Sequence, residues 1–303
     1  METEIKNQKI LWRKVQVSQC IRVLLIFLGV VLMQLVAYMI CVGGYTGYQM
    51  AQGNSKVQVA KMLEDYMTSS DSSLLIWVSA VSALLCMIWC GILYRKSDWR
   101  RPNFSYDQAF TAKRLAGIVG IGFGGCVVLS VGLSVLMHLF SDAFSSYQEL
   151  MSHLDTKNNW MTLLYVIVIG PVSEELIFRG AILDRLKIAF PLWLANILQA
   201  VLFGVYHMNL IQGGYAFCLG TALGLVCQVT GSILGSIFTH IIFNATSDLL
   251  GILFDGTGQY EDIGMLVILV VAVMLLVMGI GYYLEDWKKQ KGKTGIHQTD
   301  VVK

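Results

Sequence analysis

Residues 23–42 read VLLIFLGVVLMQLVAYMICV, twenty positions without a Lys, Arg, Asp or Glu. A helix needs about 20 such residues to cross the hydrocarbon core of a bilayer, and water is absent there to satisfy a broken backbone. Outward from this stretch the pattern repeats. Apolar runs cover 74–94, 115–139, about 160–178, 192–210, 214–229, 232–253 and 263–283. They are continuous rather than alternating, which excludes a transmembrane β-barrel. The expected fold is all-α, a polytopic membrane bundle of about eight transmembrane helices, the sixth of them short.

Composition agrees. Hydrophobic residues make up 55% of the 303-residue chain and charged residues 14%, against about a quarter charged in soluble domains; mean hydropathy is +0.62. The run at 23–42 is too long for the apolar stretch of a cleavable signal and no convincing A-x-A site follows, so it reads as the first membrane helix. The seven cysteines contain no CxxC pair and read as small apolar fillers rather than disulfides or a thiolate zinc site.

Basic residues orient the spans. With a cytoplasmic N-terminus, 19 of the 22 Lys and Arg fall on the cytoplasmic side, leaving Lys56, Lys61 and Lys157 outside. Outer loops lean acidic, as at Asp255, Glu261 and Asp262. Both termini are therefore expected in the cytoplasm, as eight spans require. The polar 43–73 loop is expected to carry a surface helix, 141–158 to lie along the outer face, and 285–303 to form a solvated tail. Residues 1–159 (three spans), 160–255 (spans four to seven) and 256–303 (last span and basic tail) read as parts of one integrated membrane domain.

Against this apolar background, PVSEELIFRG at 171–180 places Glu174, Glu175 and Arg179 at the end of a membrane span. Ionisable groups there cost several kcal/mol unless paired and are functional candidates by default. Glu175 and Arg179 stand i, i+4 in the favourable order for a helical ion pair, while Glu174 lies about 100° round the helix. His240, Asn244 and Asp248 form one i, i+4, i+8 stripe, and Phe203 and His207 share a face of the fifth span. Asn196 and Gln199 are milder polar members, and His138 has no partner at useful spacing.

Counting along the chain tests whether these residues can meet. A hairpin turning at Phe190-Pro191 places Glu174 and His207 each 16 residues from the turn, about 24 Å at 1.5 Å per residue. His240, nine residues past Gly231, lies about 13 Å in from its own turn. A hairpin projecting somewhat into the cytoplasm brings all three to one depth, within the membrane and nearer its cytoplasmic side. Each residue also has a plain structural reading: a salt bridge for Glu175–Arg179, helix packing for Phe203 and His207, interhelical hydrogen bonding for Asn244, and a cap for Asp248. Function rests on Glu, His, His and Asn occurring together in otherwise apolar helices.

At these positions the sequence resembles the CPBP family of intramembrane proteases, which groups CAAX-processing endopeptidases with bacteriocin-processing and immunity proteins. Its motifs EExxxR, FxxxH and HxxxN stand here, in order, as Glu174-Glu175-Leu-Ile-Phe-Arg179, Phe203-Gly-Val-Tyr-His207 and His240-Ile-Ile-Phe-Asn244. The likeness covers roughly 160–255. It implies peptide-bond hydrolysis within the bilayer, with Glu174 and His207 activating water and His240 and Asn244 donating to the oxyanion. Glu175, Arg179 and Phe203 would be supporting residues.

No cofactor is expected under this reading. Zinc on Glu174, His207 and His240 is the alternative, disfavoured because HExxH is absent, no separate general base remains and Asn is a poor zinc ligand. The expected partners are the lipid bilayer and a protein or peptide substrate, with no nucleic acid, and the expected location is a bacterial plasma membrane. Two other readings remain at this point. One is a non-catalytic membrane partner, such as a bacteriocin-immunity factor or sensor-kinase regulator. The other, least favoured, is a transporter, for which no inverted repeat is visible.

Overall fold

The computed structural model describes residues 2–68, 73–96, 105–145, 147, 159–253 and 261–294. All regular structure among them is helical: α1 (Glu2–Ala51), α2 (Lys56–Thr68), α3 (Ser73–Arg95), α4 (Ala112–Leu139), α5 (Trp160–Ala189), α6 (Leu192–Tyr206), α7 (Leu210–Thr230), α8 (Ile233–Leu253) and α9 (Glu261–Thr294), besides single turns at Tyr106–Ala109 and Ser141–Phe144. Seven of the described helices are long and apolar enough to cross a membrane, and α6 is a shorter apolar helix. The chain is an integral membrane protein.

Burial follows the logic of a lipid solvent. Leu24, Leu25, Leu28, Leu32 and Leu35 on α1, and Val267, Val270, Met274 and Val277 on α9, are exposed. Fully buried positions instead include Glu175, Arg179 and Gln199. Apolar side chains facing outward and charged ones inward invert the soluble pattern, because hydrocarbon accepts leucine and rejects an unpaired charge. Helix α5 runs through the centre, and its Ile177, Phe178, Ile182 and Leu183 form one core with Val30 of α1, Cys86 and Cys90 of α3 and Phe203 of α6. All seven cysteines are free.

Several boundaries differ from the hydropathy reading. Helix α1 continues to Ala51, so the expected 43–73 loop shrinks to a short link before α2, the surface helix anticipated there. Helix α5 continues past residue 178 to Ala189, carrying Arg179, Asp184, Arg185 and Lys187. The largest correction concerns spans five and six. The expected runs were 192–210 and 214–229, with the sixth short. The turn instead falls at His207–Asn209, leaving α6 with 15 residues and α7 with 21. Met208 adopts φ 55°, and Asn209 caps α7 by accepting from the Ile211 and Gln212 amides, both at 3.0 Å. A side-chain cap of this kind starts a helix irrespective of hydropathy.

The other two turns stand where expected. Phe190 is extended (φ −134°, ψ 156°) before Pro191, and Gly231 ends α7 in the left-handed region, φ 68°, which glycine adopts without steric cost. Arg100, Arg101, Lys157, Asp255, Lys303, most of the 141–158 segment and the tail beyond Thr294 lie outside the described residues.

Candidate active site

The acid pair sits on a six-residue α-helical stretch, Gly170–Glu175, between two π-helical turns, Tyr165–Ile169 and Leu176–Ile182. Such turns insert a residue into the helical register and are frequent at functional sites. In the first of them the Gly170 amide donates to the Tyr165 carbonyl, five residues back. The next residue, Pro171, has no N–H to continue the series to Val166. The Val166 carbonyl instead accepts from Asn244 Nδ2 on α8 at 2.7 Å. One polar side chain thus repairs a proline-made gap and ties α5 to α8.

Glu175 and Arg179 form the i, i+4 pair their spacing indicated, 2.7 Å apart and fully buried. The guanidinium also donates to the Gly220 carbonyl at 2.9 Å and lies over the Phe203 ring, 4.7 Å from its centroid. Gln199 Nε2 shares the Gly220 carbonyl and reaches Asn196 Oδ1, each at 2.9 Å, while Asn196 Nδ2 donates to the Thr221 carbonyl at 3.0 Å. The milder polar residues of the fifth span therefore belong to the support of the ion pair. Helices α6 and α7 approach closely: a Cβ added at Gly213 would lie 2.8 Å from the Gly204 carbonyl oxygen.

His240 joins the two acids. Its Nδ1 lies 3.0 Å from Glu175 Oε1 and its Nε2 3.7 Å from Glu174 Oε2. A carboxylate only accepts, so Nδ1 carries the proton given to Glu175 and Nε2 is the nitrogen turned toward Glu174. Glu175 therefore holds both Arg179 and His240, a second duty its helical spacing did not reveal. The Nδ1 of His207 gives its proton to the Phe203 carbonyl at 2.9 Å, which leaves Nε2 with a lone pair. The Phe203 ring packs edge-on against both histidines, with centroids at 4.9 Å from His207 and 5.9 Å from His240. FxxxH thus works as a unit: the backbone of Phe203 sets the tautomer of His207, and its ring sets the orientation.

Glu174, His207, His240 and Asn244 all line one cavity of about 430 Å³. Its other walls include Tyr147, Tyr165, Tyr206, Gln212, Tyr215 and Asp248, with Leu129, Leu133, Leu219 and Phe243 supplying apolar surface. Glu174, His207 and His240, from three helices, reach one space. Among the described residues the ion pairing of Glu174 is with His240, and His207 faces the same cavity without pairing to it. No group of three or more His, Cys, Asp or Glu among the described residues is arranged to hold a metal ion. His138 is exposed and stands apart. The cavity tyrosines and Gln212 carried no signal in the sequence, because tyrosine is ordinary in membrane helices and only the packing turns these inward.

Residues 156–246 match the family model of the Rce1-like type II CAAX prenyl endopeptidases. The matched segment contains all three motifs and is consistent with the CPBP resemblance; it supports a CAAX-type intramembrane protease acting on a peptide substrate. A protein of Escherichia coli described as an uncharacterized 24.3 kDa protein is 27% identical over 176 residues, covering 56% of this chain and 75% of that relative. No solved structure matches.

Proposed function

We propose that this protein is an intramembrane endopeptidase that hydrolyses membrane-associated protein or peptide substrates by a metal-free glutamic mechanism. The observation that carries the reading is the convergence of Glu174, His207, His240 and Asn244 on one cavity. Glu174 takes a proton from water held between it and His207 Nε2, and the water oxygen attacks the scissile carbonyl carbon. The oxyanion then faces His240 Nε2 and the second N–H of Asn244. His240 offers an N–H there in its doubly protonated form, with Nδ1–H donating to Glu175 and Nε2–H to the oxyanion. Oxyanion donors of this kind contribute about 3 to 4 kcal/mol. Collapse breaks the C–N bond, and Glu174 returns its proton to the amine.

A metal-free route suits these side chains. A zinc ligand at Glu174 would leave no separate base. Activity should persist after exhaustive chelation; stoichiometric zinc whose removal abolishes cleavage would overturn the glutamic route. We place both termini on the cytoplasmic side of a bacterial plasma membrane, on the strength of the basic-residue bias.

The deciding experiment expresses Glu174→Ala and His207→Ala variants and compares the peptidomes of the variant and wild-type strains. Both should insert normally and accumulate uncut substrate. Full proteolysis by both would refute the assignment. Full rescue of the cellular phenotype by Glu174→Ala would instead favour a scaffold such as an immunity factor or sensor-kinase regulator.

A further inference from the structure

Glu174 lines two spaces, not one. The second is a smaller chamber of about 170 Å³ lined from α1, α3, α5 and α6, with neither histidine in its walls. Tyr165, Gly170, Glu174 and Tyr206 border both spaces and form the partition between them. The chamber's own lining is polar for its surroundings, with Gln34 from α1, Ser79 and Ser82 from α3 and Ser173 from α5. Ser82 and Ser173 are buried, 6% and 4% exposed.

The protein engages each of these groups at least once: Ser79 hydrogen-bonds Tyr165 and Ser82 the Cys86 thiol. Gln34 Nε2 donates to the Tyr206 hydroxyl at 3.1 Å, and Ser173 Oγ reaches the Ala83 carbonyl at a long 3.4 Å. An amide and three hydroxyls lining one space between apolar helices have spare acceptor and donor capacity for water. Water needs a polar space with two to four partners and a share of about 30 Å³, and this chamber has room for several molecules.

We propose that this chamber is a water-retention site that refills the nucleophile position at Glu174. The proposal rests on the hydrolytic reading of the larger cavity. Each turnover consumes one water. Its oxygen joins the carbonyl carbon, one proton passes through Glu174 to the departing amine, and the other stays with the new carboxyl group. A bound substrate fills the larger cavity and blocks replenishment from that side. The chamber borders the same residue, and Gln34, by holding Tyr206, keeps the partition in place. Gln34, Ser79 and Ser82 are accordingly positioning residues for water, not catalytic residues.

Radiolytic hydroxyl footprinting of the purified full-length protein tests the occupancy without reference to activity, because radicals formed from retained water label adjacent side chains. In the wild type Val78, which lines the chamber and not the larger cavity, should be labelled. In a Gln34→Leu/Ser82→Val double variant that labelling should fall several-fold, while labelling of Tyr147 and Tyr215, which line only the larger cavity, stays constant. Cleavage of a membrane peptide should show a several-fold lower kcat with KM unchanged. Ser82→Ala removes a hydroxyl without adding volume and should move both readouts the same way, which guards against misfolding of the double variant. Unchanged labelling at Val78 would overturn the retention site whatever the activity does. The expected labelling in a wild-type protein that cleaves nothing would overturn the supply role and the protease reading together, leaving a hydrated chamber.

Discussion

Glu174 and Glu175 are adjacent and chemically identical, yet they occupy opposite energetic situations, and replacing each with glutamine should separate stability from activity. Glu175 is wholly buried and holds Arg179 at 2.7 Å and His240 at 3.0 Å. Glu175→Gln keeps the shape and removes the charge, leaving a buried guanidinium with the Gly220 carbonyl and the Phe203 ring but no anion beside it. Removing one side of a buried ion pair costs about 3–5 kcal/mol. At about 1.4 kcal/mol per factor of ten, the folded-to-unfolded ratio falls more than about a hundredfold.

Glu174 is 18% exposed, with its nearest charged partner at 3.7 Å. Loss of such a partly exposed contact costs about 0–1 kcal/mol. Denaturant titration in detergent, followed by circular dichroism, should therefore show Glu174→Gln close to wild type and Glu175→Gln strongly destabilised. Cleavage of a membrane peptide should fall by orders of magnitude in Glu174→Gln despite its intact fold. Equal destabilisation of the two variants, or full activity in Glu174→Gln, would refute the division of labour between the acids.

Two further outcomes follow from the same geometry. Asn244→Leu orphans the Val166 carbonyl and should cost about 1–3 kcal/mol; Pro171→Ala restores an N–H beneath that carbonyl, so the loss should shrink when Asn244→Leu is made in that background, as a double-mutant cycle in the same titration would measure. Gly213→Ala puts a methyl against the Gly204 carbonyl and should spread α6 from α7, lowering thermal stability and, through displacement of His207, cleavage; a fully active, equally stable variant would count against that close approach.

The sequence by itself determined the class of fold and the identity of the polar residues. Twenty uncharged positions at 23–42 leave the backbone no option but a helix in lipid, and the runs that follow repeat the argument. The i, i+4 spacing likewise determined the Glu175–Arg179 pair, because a helix makes those two positions neighbours in any surroundings. Helix ends were less legible. Hydropathy sums side chains and is blind to the left-handed Met208 and the Asn209 cap, so the turn that presents His207 was placed too late.

Tertiary structure alone decided how the polar groups are shared. Nothing within one helix indicates that His240, 65 residues from Glu175, shares the Oε1 that Arg179 holds, or that Asn244 answers a carbonyl left open by Pro171. It also decided that Glu174 stands between two spaces, one shared with the histidines and one with Gln34 and the serines of α3. Burial of a charge is tolerable only where several helices bring partners to it, and such partners are set by packing across the bundle rather than by spacing along the chain.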